Sequence, residues 1–430
     1  MQEDNRICIL GMGYVGLTLG AALCDRDFEV QGIEINPRVL QSLAEGKAHF
    51  FEQGLDRVLQ RGLRNKRLAF SSTIPKDREF DVYIITVGTP LGEKGPRMDM
   101  VESVTRDIAA HMRDGALVLL RSTVKLGTSL GVVKPILDAT GKRYDLAMCP
   151  ERTIEGKALT ELFMLPQIVG GNSREATVRA GNVFRRLTPT IIAVSDLRTA
   201  EIIKLLDNSY RDLFFAFGNE VALMCEAAGI SAREVISAAN MGYERTNIAK
   251  PGFVGGPCLE KDPHILIHSL APMGFVPKLI QTGRLLNESL VPHVLEFVRT
   301  RLPAGKPPVI SLLGLAFKGQ PDTDDLRGST ALLMIEQIKA ALPNVELRGQ
   351  DYVVKNDEIA KLGIKPVSDA EAFAGADAAL IMNNNRGYST LDIEGFARTM
   401  NRPGLVFDAW AVFSPKVDLP EGVSLHVLGQ

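Results

Sequence analysis

Over residues 6–150, short apolar runs alternate with longer amphipathic stretches. Segments 6–10, 29–34, 82–87, 117–121 and 145–148 read as strands, and 14–25, 37–45 and 100–112 as helices. Strand–helix alternation of this kind predicts right-handed crossovers and a parallel sheet covered by helices. Two further apolar runs, 167–170 and 191–194, are candidates to extend the sheet. From Asp196 to about Ala239 the pattern becomes long and helical, followed by a glycine-rich loop and a second helical run over about 277–301. After a proline-containing linker at 303–308, strand–helix alternation resumes, with strand candidates at 309–315, 345–348, 378–382 and 405–408. The expected fold is α/β: two Rossmann-like, doubly wound parallel-sheet domains, 1–195 and 304–430, joined by a helical middle domain, 196–303.

Bulk properties narrow the class. A chain of 430 residues exceeds what one core supports, which favours several domains. Its 45% hydrophobic and 23% charged content is ordinary for a globular protein. A net charge of −2 offers no field suited to nucleic acid or an anionic membrane. Five scattered cysteines, with no CxxC and no metal-ligand spacing, suit a reducing compartment. The charged N-terminus and the lack of an apolar run of about 18 residues point to a cytoplasmic protein without a membrane span.

Gly11-Met12-Gly13-Tyr14-Val15-Gly16 follows the first strand and opens the first helix. In that context Gly11 and Gly13 permit a tight turn and close approach to a pyrophosphate, and Gly16 lets helix pack on strand. Glu34, at the end of the second strand, has the spacing of a carboxylate that holds an adenosine ribose and repels a 2′-phosphate, so NAD is the expected cofactor. Thr86-Val87-Gly88-Thr89 and Ser122-Thr123 lie at two other strand ends facing the same crevice.

Three constellations carry chemistry. In Gly255-Gly256-Pro257-Cys258-Leu259-Glu260-Lys261-Asp262 a thiol sits behind a glycine bend, near a lysine and four residues before an aspartate. It is either a nucleophile or a structural cysteine beside a tight loop. Lys204 and Asn208 lie four apart on one helix face and could hold an oxyanion, although a helical lysine commonly faces solvent. Glu151 and Glu155 follow a strand end and suit either acid/base work or a polar loop. In the last domain, Lys318 and Arg327 flank a helix start that suits a diphosphate.

Taken in order, GMGYVG, VGTPLG, RSTV, CPERTIEGKAL, EIIKLLDNS, GFVGGPCLEKDP and LGLAFKGQPDTDDLR make the chain resemble the UDP-glucose/GDP-mannose dehydrogenase family over essentially its whole length. The resemblance implies oxidation of a sugar C6 alcohol to a carboxylate with two NAD. By that resemblance Cys258 is the nucleophile that forms a thiohemiacetal and then a thioester. Lys204 and Asn208 stabilise the oxyanion, Asp262 partners the catalytic water, and Thr123 and Glu151 position water or move protons. Tyr14, Val15, Thr89, Thr123 and Glu155 complete the cofactor site, while Gly255, Gly256, Lys318 and Arg327 face the UDP-sugar. A homodimer or higher homo-oligomer built on the middle helices, acting in polysaccharide biosynthesis, is implied as well. Pro150-Glu151-Arg152, Arg245-Thr246-Asn247 and Pro263 resemble the UDP-N-acetylhexosamine branch, with Arg245 as the substrate arginine; Lys261 resembles the UDP-glucose branch. A two-electron dehydrogenase of the hydroxyacid type, with Cys258 merely structural, is the alternative of a different kind.

Overall fold

The computed structural model describes residues 4–93, 95–413 and 416–430. It forms two compact units, the first of residues 1–207 and 264–276, the second of 208–263 and 277–430.

The first unit holds an eight-stranded sheet. Its strands are β1 (Arg6–Leu10), β2 (Glu29–Ile33), β3 (Leu68–Ser71), β4 (Val82–Ile85), β7 (Ala116–Leu120), β8 (Tyr144–Met148), β9 (Gln167–Gly171) and β10 (Ile191–Ala193); β5 (Leu91–Gly92) and β6 (Gly95–Pro96) form a separate small hairpin. The order is β10-β9-β8-β7-β4-β1-β2-β3. Alternation along β1 explains why both faces are apolar: Ile7 and Ile9 enter one core with Leu17 and Leu19, Cys8 and Leu10 the other with Val101 and Ile108. Burying each such Leu or Ile contributes about 1.5–3 kcal/mol of transfer free energy. The order reverses between β1 and β4, so a crevice opens beyond their carboxyl ends.

Two corrections apply here. The sheet is not wholly parallel: β8 pairs antiparallel with β9 at Ala147↔Gly171 and Met148↔Gly170. An antiparallel pair needs no crossover, and the short helix Ala158–Met164 suffices to turn the chain back. The segment between the second and fourth strands, given no element from sequence, contains the helix Leu55–Arg64 and β3.

The helix Leu197–Ala228 supplies residues through Asp207 to the first unit and from Asn208 to the second. The second unit adds the helices Ala232–Asn240 and Lys278–Arg299 and a six-stranded parallel sheet. That sheet comprises β11 (Val309–Leu313), β12 (Glu346–Gln350), β13 (Lys365–Pro366), β14 (Ala378–Ile381), β15 (Gly404–Asp408) and β16 (Val423–Val427), in the order β13-β12-β11-β14-β15-β16. Here the order reverses between β11 and β14. The stretch ahead of residue 277, read from sequence as loop, includes the helix Asp262–Leu270. Pro263 lies in its first turn, where a missing N–H costs nothing.

Candidate active site

The glycine motif takes the geometry that a dinucleotide needs. Gly11 has φ +99°, and a Cβ there would lie 3.1 Å from the Val87 nitrogen. Gly13 is the N-cap of the helix Tyr14–Cys24, and a Cβ on it would meet nothing within 4 Å, leaving open space at a helix N-terminus. Gly16 packs so tightly on the turn that a Cβ would fall 1.9 Å from the Gly11 carbonyl oxygen. Across the switch point, Thr86 Oγ1 donates to the carbonyls of Leu10 and Gly11 at 3.0 and 2.8 Å. Glu34 follows β2 and accepts from the Met12 and Asn36 nitrogens at 3.2 and 2.8 Å, which holds its carboxylate at the crevice rim. These residues fit an NAD: bare glycine backbone for the pyrophosphate and a fixed carboxylate for the ribose.

Tyr14 belongs to a part-buried knot that the sequence did not announce. Its hydroxyl donates to Glu52, and the Gly156 nitrogen donates to both, at 2.9 Å to the Tyr14 hydroxyl and 2.8 Å to Glu52. Burial first, and then Glu52, push the Tyr14 phenol well above its ordinary pKa; nearby Glu155 adds to the rise. The knot pins the turn that carries Glu155 to the first helix. Thr89 Oγ1 donates to the Thr123 carbonyl, tying the ends of β4 and β7 together. Glu151 turns back on itself and accepts from the Thr153 nitrogen. Behind it lies Arg121, only 2% exposed, which donates to the Cys149 carbonyl at 3.1 Å and to Gln167 at 2.8 Å.

Lys204 is 6% exposed, so it is no solvated helix-face lysine. One turn earlier, buried Glu201 accepts from the nitrogens of Gly127 and Ser129 and from the Ser129 hydroxyl, fastening the loop after β7 to the same helix. Burial raises the Glu201 pKa, and its three donors oppose that rise.

In the second unit, Asn208 and Asp262 meet: Asn208 Nδ2 donates to Asp262 Oδ2 at 2.6 Å, and both side chains are buried. The Asp262 nitrogen donates to the Cys258 carbonyl at 2.8 Å, so the cysteine stands one turn ahead of the aspartate at the start of a helix. Of the five cysteines, Cys258 is exposed and four are buried. Burial pushes the Cys149 thiol up to about 12, which leaves it inert, whereas Cys258 is accessible. Gly255 and Gly256 allow a close fit: the Gly256 nitrogen donates to the Gly328 carbonyl at 2.7 Å, and a Gly256 Cβ would strike the Phe317 ring at 2.3 Å.

Lys318 lies in the loop that follows β11, at the switch point of the second sheet, with its Nζ 5.1 Å from the Phe317 ring centroid. Arg327 is held on Asp325, donating from Nε to both carboxylate oxygens at 2.9 Å. The Phe317 nitrogen donates to the Asp325 carbonyl, which draws the two ends of the loop together. Asp351 accepts from the nitrogens of Leu315 and Ala316 at 2.7 and 3.0 Å. It thereby occupies the first two amides of the loop that follows β11. Arg245 stands on an exposed loop with its guanidinium 4.7 Å from the Tyr243 ring centroid.

Three consecutive stretches match one family: residues 5–188 its NAD binding domain, 198–289 its central domain and 311–415 its UDP binding domain. The chain belongs to the UDP-glucose/GDP-mannose dehydrogenase family. It is a nucleotide-sugar dehydrogenase, an oxidoreductase. It is 34% identical over 360 residues to the UDP-N-acetyl-D-mannosamine dehydrogenase of Campylobacter jejuni, covering 80% of this chain and 85% of that one. It is 31% identical to the NDP-N-acetyl-D-galactosaminuronic acid dehydrogenase of Ralstonia nicotianae, covering 96% and 97%. The UDP-N-acetylmannosamine dehydrogenase structure from Pyrococcus horikoshii superposes with a TM-score of 0.87 at 29% identity, covering 99% of both chains. These relatives lie in the UDP-N-acetylhexosamine branch.

Within this dehydrogenase, four supporting residues escaped the sequence reading: Glu52, Glu201, Arg284 and Asp351. Glu201 had a signal, a carboxylate one turn from Lys204 in an otherwise apolar stretch. Glu52 had none, since its partners Tyr14 and Gly156 lie far away along the chain.

Proposed function

We propose that this dehydrogenase oxidises the C6 hydroxymethyl group of a UDP-N-acetylhexosamine to the carboxylate, through covalent intermediates on Cys258. The observation that carries the reading is the exposed thiol one helical turn from a buried Asp262–Asn208 pair. NAD, held by Gly11, Gly13 and Glu34, supplies the acceptor for two hydrides. With the aldehyde formed, the Cys258 sulfur adds to its carbonyl carbon, and the oxygen takes the proton, giving a thiohemiacetal. Loss of the second hydride and the hydroxyl proton gives a thioester. Water then attacks the acyl carbon and the C–S bond breaks, returning the thiol and releasing the acid. In total, one alcohol, two NAD and one water give one carboxylate, two NADH and three protons.

Each chain residue has a part that its environment supports. Lys204 and the Asn208 amide, both buried, stabilise developing oxyanions far better than exposed groups would. Asp262, fixed by Asn208, orients or deprotonates the hydrolytic water, and Glu151 and Thr123 assist water placement and proton movement. Tyr14, Val15, Gly16, Thr89 and Glu155 shape the cofactor cleft; Gly255, Gly256, Lys318 and Arg327 take the sugar and its diphosphate, and Arg245 reaches substrate from its exposed loop.

The N-acetylhexosamine is chosen over glucose because the relatives above act on N-acetylated sugars and the Arg245-Thr246-Asn247 segment resembles that layout. Lys261 favours UDP-glucose as the second reading. NADH formation across UDP-ManNAc, UDP-GalNAc, UDP-GlcNAc, UDP-glucose and GDP-mannose tests the choice; turnover of UDP-glucose alone contradicts it. Tyr210, Phe217 and Met224, exposed at seven-residue spacing on one helix, support a homodimer built on that face, which light scattering measures. Among the described residues no helix is long and apolar enough to cross a membrane.

A further inference from the structure

The loop that bears Cys258 has no regular structure between Gly252 and Gly256, yet it is gripped at both ends by one buried polar cluster. Arg284, 2% exposed on the helix Lys278–Arg299, donates from Nη1 to the Leu259 carbonyl at 3.0 Å and from Nη2 to the Val254 carbonyl at 3.3 Å. Its Nη1 also meets Asp212 Oδ1 at 2.7 Å, and its Nε lies 3.3 Å from Glu288. Asn287, one turn on, donates to the Asp212 carbonyl and carboxylate at 3.0 and 2.9 Å. Asn219 completes the chain, donating to Asn287 at 2.9 Å and accepting from the Gly252 nitrogen at 2.9 Å.

We infer that Arg284 is a positioning residue for the Cys258 nucleophile, the centre of a cluster that sets where the sulfur stands. The inference rests on the reading of Cys258 given above. Three backbone anchors, at Gly252, Val254 and Leu259, bracket the Gly255–Cys258 segment from one side. A planar guanidinium presents its donors in a fixed fork spread over separate nitrogens, so it bridges two carbonyls and a carboxylate at once; the three donors of an ammonium converge on one nitrogen and lack that fixed spread. A fully buried ion pair gains little for stability, because desolvating two charges opposes their attraction. Geometry is what this cluster offers, and a nucleophile displaced by about 1 Å loses about a hundredfold in rate.

Arg284→Lys keeps the charge and removes the fork. With UDP-N-acetylmannosamine as substrate, the variant is expected to lose at least tenfold in kcat while the Kd for NAD stays unchanged. It should also give fewer than two NADH per sugar consumed, with free aldehyde trapped as a hydrazone, because an aldehyde that the thiol does not capture escapes. Asn219→Ala, which frees the Gly252 anchor and the Asn287 amide oxygen but leaves Arg284 on Val254 and Leu259, should move in the same direction less far and stands in if Arg284→Lys does not fold. Arg299→Lys, an exposed change on the same helix, should match the wild type. A folded Arg284→Lys or Asn219→Ala enzyme with wild-type kcat and two NADH per sugar overturns the inference alone. A wild-type enzyme that yields one NADH removes the Cys258 reading and this inference with it.

Discussion

Asn208 Nδ2 donates to Asp262 Oδ2 at 2.6 Å, and the two side chains are buried together. The bond fixes the rotamer of a carboxylate that starts the helix behind Cys258, and it commits one amide proton of Asn208. Asp262→Asn replaces the carboxylate by an amide of equal size and removes a base. The expected loss is about 10²–10⁴ in kcat, the range of general acid–base contributions, with the NAD affinity held. Stopped-flow NADH traces check it; an Asp262→Asn enzyme within threefold of wild type removes Asp262 from the chemistry.

The glycine motif separates binding from folding. Gly13 has φ −68°, and a Cβ there meets no protein atom within 4 Å, so Gly13→Ala should fold with an unchanged Tm. Its NAD affinity should fall by about tenfold or more, equivalent to about 1.4 kcal/mol. Gly16→Ala drives a Cβ into the Gly11 carbonyl and should cost about 1–3 kcal/mol of stability. Calorimetry and thermal melts on the pair decide; a Gly13→Ala protein with wild-type NAD affinity places the pyrophosphate elsewhere.

Under the proposed function Lys318 binds the diphosphate, with no GxGxxG motif beside it and with the Leu315 and Ala316 amides taken by Asp351. Lys318→Met should therefore weaken UDP by about ten- to a hundredfold, the 1.5–3 kcal/mol of a charge-assisted hydrogen bond. The loss should shrink as salt rises, because screening already weakens the wild-type contact. Unchanged UDP binding by titration calorimetry contradicts the assignment.

His426 gives a stability test remote from the chemistry. It stacks on Phe297 at 3.9 Å between ring centroids, and burial lowers its pKa. The folded state then holds its proton less tightly than the unfolded chain, whose histidine titrates near about 6.5. Stability from this group is full above about 6.5 and is lost as pH falls from there through the folded value. Denaturant midpoints measured from pH 7.5 down to 5 should decline less steeply in His426→Phe than in wild type; equal slopes contradict the shift.

What the sequence disclosed and what it hid divide along physical lines. The strands around Gly11, Glu34 and Lys318 were legible because their buried runs are nearly all apolar: Ile7–Leu10 carries β1, and Ser311 is the single polar residue of β11. Glycine spacing located the cofactor cleft because only residues without a Cβ allow the Gly11–Gly16 contact. The helix Asp262–Leu270 was hidden because it directly follows the glycine-rich Gly252–Gly256 stretch, which reads as loop. The antiparallel pairing of β8 with β9 was hidden because pairing direction leaves no mark on a short apolar run. The polar partners stayed invisible for a different reason: Arg284 and Glu52 act through hydrogen bonds to backbone distant in sequence, and such bonds place no demand on neighbouring residue types.

The covalent role of Cys258 is the centre of this account, and the number of NADH formed per UDP-N-acetylhexosamine consumed tests it most directly. Wild-type enzyme should form two, and Cys258→Ala should stall with no uronic acid released. One NADH per sugar in the wild type, with Cys258→Ala equally active, would contradict it.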